Sequence, residues 1–194
     1  MKSNTRKMNI LTIFIAIILI QTSVPGLGNL PIGPLSITII PITVVLAAIL
    51  LGTKDGAIIG ATWGIITFIR AFWWPTSPIA IYVFINPLVS IFPRIMTGLV
   101  SGLIFHYLYN KVDKKKWVLV ITGMIGSLVN TVLLLSLIYL FYRGNAFNIY
   151  HLQVDQLLPY LLGVAGTNGV IEAILSGILV PVIATPLLKF KSKM

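Results

Sequence analysis

The chain has 194 residues, of which 57 % are hydrophobic and only 9 % charged, with a mean hydropathy of +1.00. A water-soluble domain has about a quarter of its residues charged, so this composition excludes one and points to lipid as the solvent. Cysteine is absent, which removes disulfides, thiol catalysis and cysteine metal sites. The two histidines, His106 and His151, lie far apart in the chain and make a poor metal site. The balance of 14 Lys+Arg against 4 Asp+Glu gives +10; in a soluble chain that suggests nucleic acid, but in an apolar one it first records topology.

At about 20 apolar residues per crossing, six spans are predicted, at about 8–24, 35–51, 57–74, 87–108, 117–141 and 158–188. Apolar runs this long cannot be barrel strands, which alternate polar and apolar. They are helices, because only internal pairing satisfies backbone amides in lipid. The first run follows Lys2, Arg6 and Lys7 as a signal peptide would. It has no small-x-small cleavage site, so a retained helix is expected. No internal repeat supports an inverted-repeat transporter. Every residue falls in a span or a short loop, so the expectation is one all-α integral-membrane domain over 1–194, multi-pass in the cell membrane.

With the N-terminus in the cytoplasm, the cytoplasmic pieces are 1–7, 52–56, 109–116 and 189–194, which hold 11 of the 14 Lys and Arg. The reverse orientation sets that cluster outside, against the positive-inside rule. Both termini are therefore expected in the cytoplasm. The first outer loop, 25–34, has three prolines and three glycines and cannot continue a helix. The second holds Trp73, Trp74, Pro75, Thr76, Ser77 and Pro78; the third, 142–157, carries Arg143, Asn145, Asn148, His151 and Asp155. These loops read either as an aromatic belt with ordinary turns or as lids over an outward-facing pocket.

Ionisable groups inside a span cost several kcal/mol unless they face a cavity or a partner. Arg70, Arg94 and Glu172 qualify, and Asn130 and Asn168 join them. At 1.5 Å per helical residue, Arg94, Asn130 and Glu172 stand about 21, 20 and 25 Å above the cytoplasmic face, with Asn168 one turn further out. These residues, from three helices, share one level in the outer half, as a binding site open to the outside requires. Arg94 and Glu172 also fit a structural ion pair, and the asparagines fit interhelical glue. Arg70 is expected to reach the outer interface. Gly163, Ala165, Gly166 and Gly169 around Asn168 invite close backbone approach or a helix break, and Pro93 is expected to kink the helix just before Arg94. Trp63, about 12 Å up, either floors the pocket or packs. No G-x-x-x-x-G-K-[ST] is present, so the chain is not expected to hydrolyse ATP, and no catalytic pair suits a protease. A guanidinium pairs bidentately with a carboxylate, which points to an anionic solute.

The six-span plan, the flexible first outer loop and the short basic turns resemble the substrate-binding S component of energy-coupling factor (ECF) vitamin transporters. The stretch Asn86, Pro87, Leu88, Val89, Ser90, the pair Pro93-Arg94, the run from Thr122 ending in Val129, Asn130 and Thr131, the run Leu137 to Phe141, and Thr167, Asn168, Gly169 through Glu172 and Ala173 look like the pantothenate branch. The resemblance covers nearly the whole chain. It implies a high-affinity vitamin-binding subunit rather than an enzyme, without cofactor, metal or nucleic acid. Its implied partners are a membrane T component and, through it, two ATPase subunits, and uptake proceeds by toppling of the S component. It implies substrate contacts at Arg94, Asn130 and Asn168, with Trp63, Glu172 and Asn86 as further candidates. Many S components dock on the T component through an Ala-x-x-x-Ala patch on the first helix; here the nearest match is Thr12 and Ala16, beside bulky Ile13 and Ile15. Alternatives are an S component for another small carboxylate-bearing vitamin, a stand-alone secondary carrier or facilitator, and a non-transporting membrane scaffold.

Overall fold

The computed structural model describes residues 2–24, 26–30, 37–75, 78–145, 149–150 and 153–192. Within the predicted features, Pro25 and Pro31 to Pro34 of the first outer loop, the start of the second span at Leu35, Thr76, Ser77, Asn148 and His151 lie outside the described residues. The chain is an all-α membrane protein with one two-residue hairpin. Among the described residues, five helical stretches are long and apolar enough to cross a bilayer, and a further apolar helix is shorter.

α1 (Lys2–Ser23) is peripheral. It buries Phe14 and Ile18 and leaves Ile13, Ile17 and Ile20 exposed, with Thr12 and Ala16 also on the exposed side. Lys7 Nζ anchors its first half to the Asp55 carboxylate at 2.6 Å. The hairpin follows: β1 (Asn29–Leu30) pairs antiparallel with β2 (Ile37–Thr38), Asn29 opposite Thr38. α2 (Ile40–Leu51) is the central helix, with every residue from Ile40 to Ile49 buried. A helix apolar on all sides must be surrounded by other helices.

The second span therefore differs from its prediction. Its helix starts at Ile40, not near 35, and its 12 residues cover about 18 Å, short of a hydrocarbon core of about 30 Å. The start is fixed locally. Pro41 occupies the first turn, where its missing N–H costs nothing, and Thr38 Oγ1 accepts the Ile40 N–H at 3.3 Å. Gly52, at φ 111°, then reverses the chain in a single residue into α3 (Thr53–Trp73), a conformation that costs glycine little.

α4 (Pro78–Val83) and α5 (Pro87–Ser90) are short and lead to α6 (Phe92–Tyr109). α7 (Lys115–Tyr142) follows the basic loop, and α8 (Val154–Val164), a π-helical turn (Ala165–Gly169) and α9 (Val170–Ser192) form one continuous rod. That rod begins at Val154, ahead of the predicted 158, because Gln153 and Gln156 close a capping box there.

Small residues set the helix spacing. Gly56, Gly60 and Gly64 recur every fourth residue along α3 and face α6. A methyl on Gly60 would strike the carbonyl of Arg94, one on Gly98 the carbonyl of Gly56, and one on Gly64 the Cα of Ile91 at 2.6 Å. Gly123 of α7 meets the Ser176 carbonyl of α9 in the same way. In lipid no hydrophobic force drives helices together, and such close backbone approach replaces it. Two apolar clusters result. One centres on α2, α3 and the lower part of the bundle, with Ile18, Val45, Ile59 and Val118; the other joins Val83, Val89, Ile138, Leu157 and Leu161.

The α3–α6 contact yields a direct expectation. Gly60→Val should lower stability by about 1–3 kcal/mol, the usual cost of overpacking, and lower the thermal midpoint in detergent. An unchanged midpoint would mean that the two helices can separate without loss.

Candidate functional site

A cavity of about 120 Å³ lies where the two apolar clusters meet. One buried water needs about 10–15 Å³, so the space suits a small organic molecule. It sits at the end of the bundle where α1 and α3 finish, since Thr22, Arg70 and Pro75 line it. The helix ends bearing Lys2 and Ser192 lie at the opposite end.

The structure brings Trp63, Arg94, Asn130, Asn168 and Glu172 together in this lining. All five are at least nine-tenths buried. Asn86 does not line the cavity. Its Oδ1 accepts the Leu88 N–H at 3.0 Å and its carbonyl accepts the Ser90 hydroxyl, so it caps α5.

Arg94 owes its place to a helix break rather than a kink. The chain turns at Ile91, and Pro93 falls in the first turn of α6. Pro93 has no N–H to give the carbonyl four residues back, so the Val89 carbonyl is left open. Arg94 Nη1 donates to it at 2.7 Å. The guanidinium carbon stands 5.1 Å from the Trp63 ring centroid and 5.0 Å from that of Phe84, within cation–π range. Arg94 Nε has no hydrogen-bond partner, nor has Asn130 Oδ1. Buried polar atoms are normally paired; here a donor and an acceptor are both open beside a cavity.

The expected alternative of an Arg94–Glu172 ion pair is not realised within 4 Å. Glu172 is held instead by the hairpin and by α7. Its Oε1 accepts the Thr38 N–H at 2.7 Å and its Oε2 accepts the Thr131 hydroxyl at 3.2 Å. Asn168 rides on the π-helical turn; the helix widens there and runs on instead of breaking, and such turns recur at functional sites. Arg70 does not simply reach outward. It lines the cavity, while its Nε donates to the Trp74 carbonyl at 2.9 Å and its Nη1 to the Thr22 carbonyl. Phe84, Thr38 and Thr131 are among the lining residues that the sequence did not single out as site members. Thr131, beside Asn130, was the one with a local signal.

The model of the family "ECF transporter, substrate-specific component" matches residues 6–184. The chain belongs to this family. It is 36 % identical over 191 residues to a protein named "Pantothenate transporter PanT" from Leuconostoc mesenteroides subsp. mesenteroides, covering 95 % of this chain and 93 % of that protein. It is 27 % identical over 205 residues to a "Pantothenic acid transporter PanT" from Lactococcus lactis subsp. cremoris, covering 98 % of each. In this ECF substrate-specific component the resemblance seen in the sequence is thus matched both by the family model and by relatives that bear the pantothenate name.

The open acceptor on Asn130 separates a ligand site from helix glue. An unpaired buried acceptor costs about 1–3 kcal/mol. Asn130→Leu, of similar volume, should therefore keep or raise the thermal midpoint of the ligand-free protein. A midpoint several degrees lower would mark Asn130 as a structural contact.

Proposed function

We propose that the chain is the high-affinity pantothenate-binding subunit of an ATP-driven importer in the cell membrane. The observation that carries this reading is that two residues lining one cavity each hold a buried, unpaired polar atom, the donor Arg94 Nε and the acceptor Asn130 Oδ1. Pantothenate offers a carboxylate for the first and hydroxyl or amide donors for the second. Arg94 binds the carboxylate, Asn130 and Asn168 bind the amide and hydroxyl groups, and the Trp63 and Phe84 rings wall the charged end.

The membrane reading puts the basic loop 109–116 and both chain ends in the cytoplasm. The cavity then faces outward, and α2 with the hairpin above it makes the second of six crossings. The chain carries no nucleotide motif, so transport draws on a T component and two ATPase subunits. Thr12 and Ala16, both exposed on α1, supply the small-residue stripe for docking on the T component.

Calorimetric titration of the purified chain with pantothenate and with its carboxylate-free alcohol tests the site. The wild type should prefer pantothenate. A charge-assisted hydrogen bond contributes roughly 1.5–3 kcal/mol, so Arg94→Met should weaken pantothenate binding about 10- to 150-fold. Arg94→Lys should recover only part, because an ammonium lacks the planar fork. Equal wild-type affinity for the two ligands would defeat the carboxylate assignment.

Liposomes test the energy source. Vesicles containing the chain alone should bind pantothenate without accumulating it. Adding the T component and ATPase subunits should give ATP-dependent uptake. Accumulation by the chain alone would instead identify a stand-alone carrier.

A further inference from the structure

The cavity has two chemically opposite poles. At one, Arg94 lines the space, with its Nε buried and unpaired. At the other, Glu172 lines the space with both carboxylate oxygens already fixed, Oε1 by the Thr38 N–H and Oε2 by the Thr131 hydroxyl. The Thr38 donor is itself rigid. Its hydroxyl donates to the Gly28 carbonyl at 3.2 Å and accepts the Ile40 N–H, tying the hairpin to the head of α2. Glu172 therefore cannot swing aside without releasing the hairpin. The second arginine in the lining does not offset it freely, because Arg70 already serves two backbone carbonyls.

We infer that Glu172 is a specificity-determining residue that fixes the direction of the bound substrate and rejects a second negative charge at its far end. The inference rests on the pantothenate reading and deepens it. An anionic substrate cannot place its carboxylate against Glu172, so that group goes to Arg94 and the hydroxyl end goes to the Glu172 pole. Hydroxyl donors suit a carboxylate, which accepts only. A phosphate on that terminal hydroxyl replaces a donor with anionic acceptors facing Glu172. The site is thereby built to take the free vitamin and to refuse its form phosphorylated at that hydroxyl, as well as linear diacids of the same length.

The test uses the purified full chain in detergent. Titrations are run with pantothenate and with pantothenate bearing a phosphate monoester on its terminal hydroxyl. Like charges brought together across a binding contact cost enough for two or more decades of affinity, so the wild type should bind the ester at least about 100-fold more weakly. Glu172→Gln keeps the shape and an acceptor for the Thr38 N–H, and should shrink that ratio at least about tenfold. If the Gln variant does not fold, Glu172→Ala carries the same comparison. A wild-type ratio near one, or a ratio unchanged in a folded Glu172 variant, overturns the inference while leaving pantothenate binding in place. Failure of the wild type to bind pantothenate overturns the substrate reading and this inference together.

Discussion

The close approach of α3 and α6 is the constraint on which the site depends. With glycine at 56, 60 and 64 of α3 and at 98 of α6, the two backbones touch, and the carbonyl of Arg94 itself occupies the space that a side chain at 60 would fill. Trp63 lies between Gly60 and Gly64 in sequence, so the same contact that seats the backbone of Arg94 also delivers the Trp63 ring to its guanidinium. In lipid this packing is the main attraction between helices, so fold and site share one determinant.

A second feature follows from proline chemistry. Pro93 cannot donate to Val89, and the open carbonyl captures one arm of Arg94. The rest of the guanidinium is presented to the cavity against aromatic rings rather than a carboxylate. A buried cation neutralised by a neighbouring acid would have little left to offer a ligand. Here the acid is hydrogen-bonded to the hairpin and Thr131, so it acts on the arginine only through its field and leaves the guanidinium donors unoccupied by a carboxylate. The hairpin is thus part of the site's electrostatics as well as its cover, since its Thr38 N–H holds Glu172 in place.

The π-helical turn at Ala165–Gly169 belongs to the same economy of small residues. Asn168, on the turn, and Glu172 stand four residues apart, so both line one cavity from one face of the rod. Its glycines carry no side chains that would oppose the wider turn.

The sequence by itself determined the solvent, the helical class and the polar residues that had to find a cavity. Those follow from composition and from the cost of leaving Arg94, Glu172 or an asparagine against lipid. Sites of helix irregularity were also legible, because glycine and proline act locally: the break expected around Asn168 is a π-helical widening of an unbroken helix, and the kink expected at Pro93 is a break at Ile91. The tertiary structure decided what depends on residues distant in the chain. It set Glu172 against Thr38, 134 residues away, rather than against Arg94. It brought Phe84 to the guanidinium, and it shortened the second span to a central helix entered through a hairpin. Pairings of this kind are chosen by which helices touch and at what height. Hydropathy and spacing along one chain fix depth but not rotation or neighbour, so the poles of the site emerged only once the helices were packed.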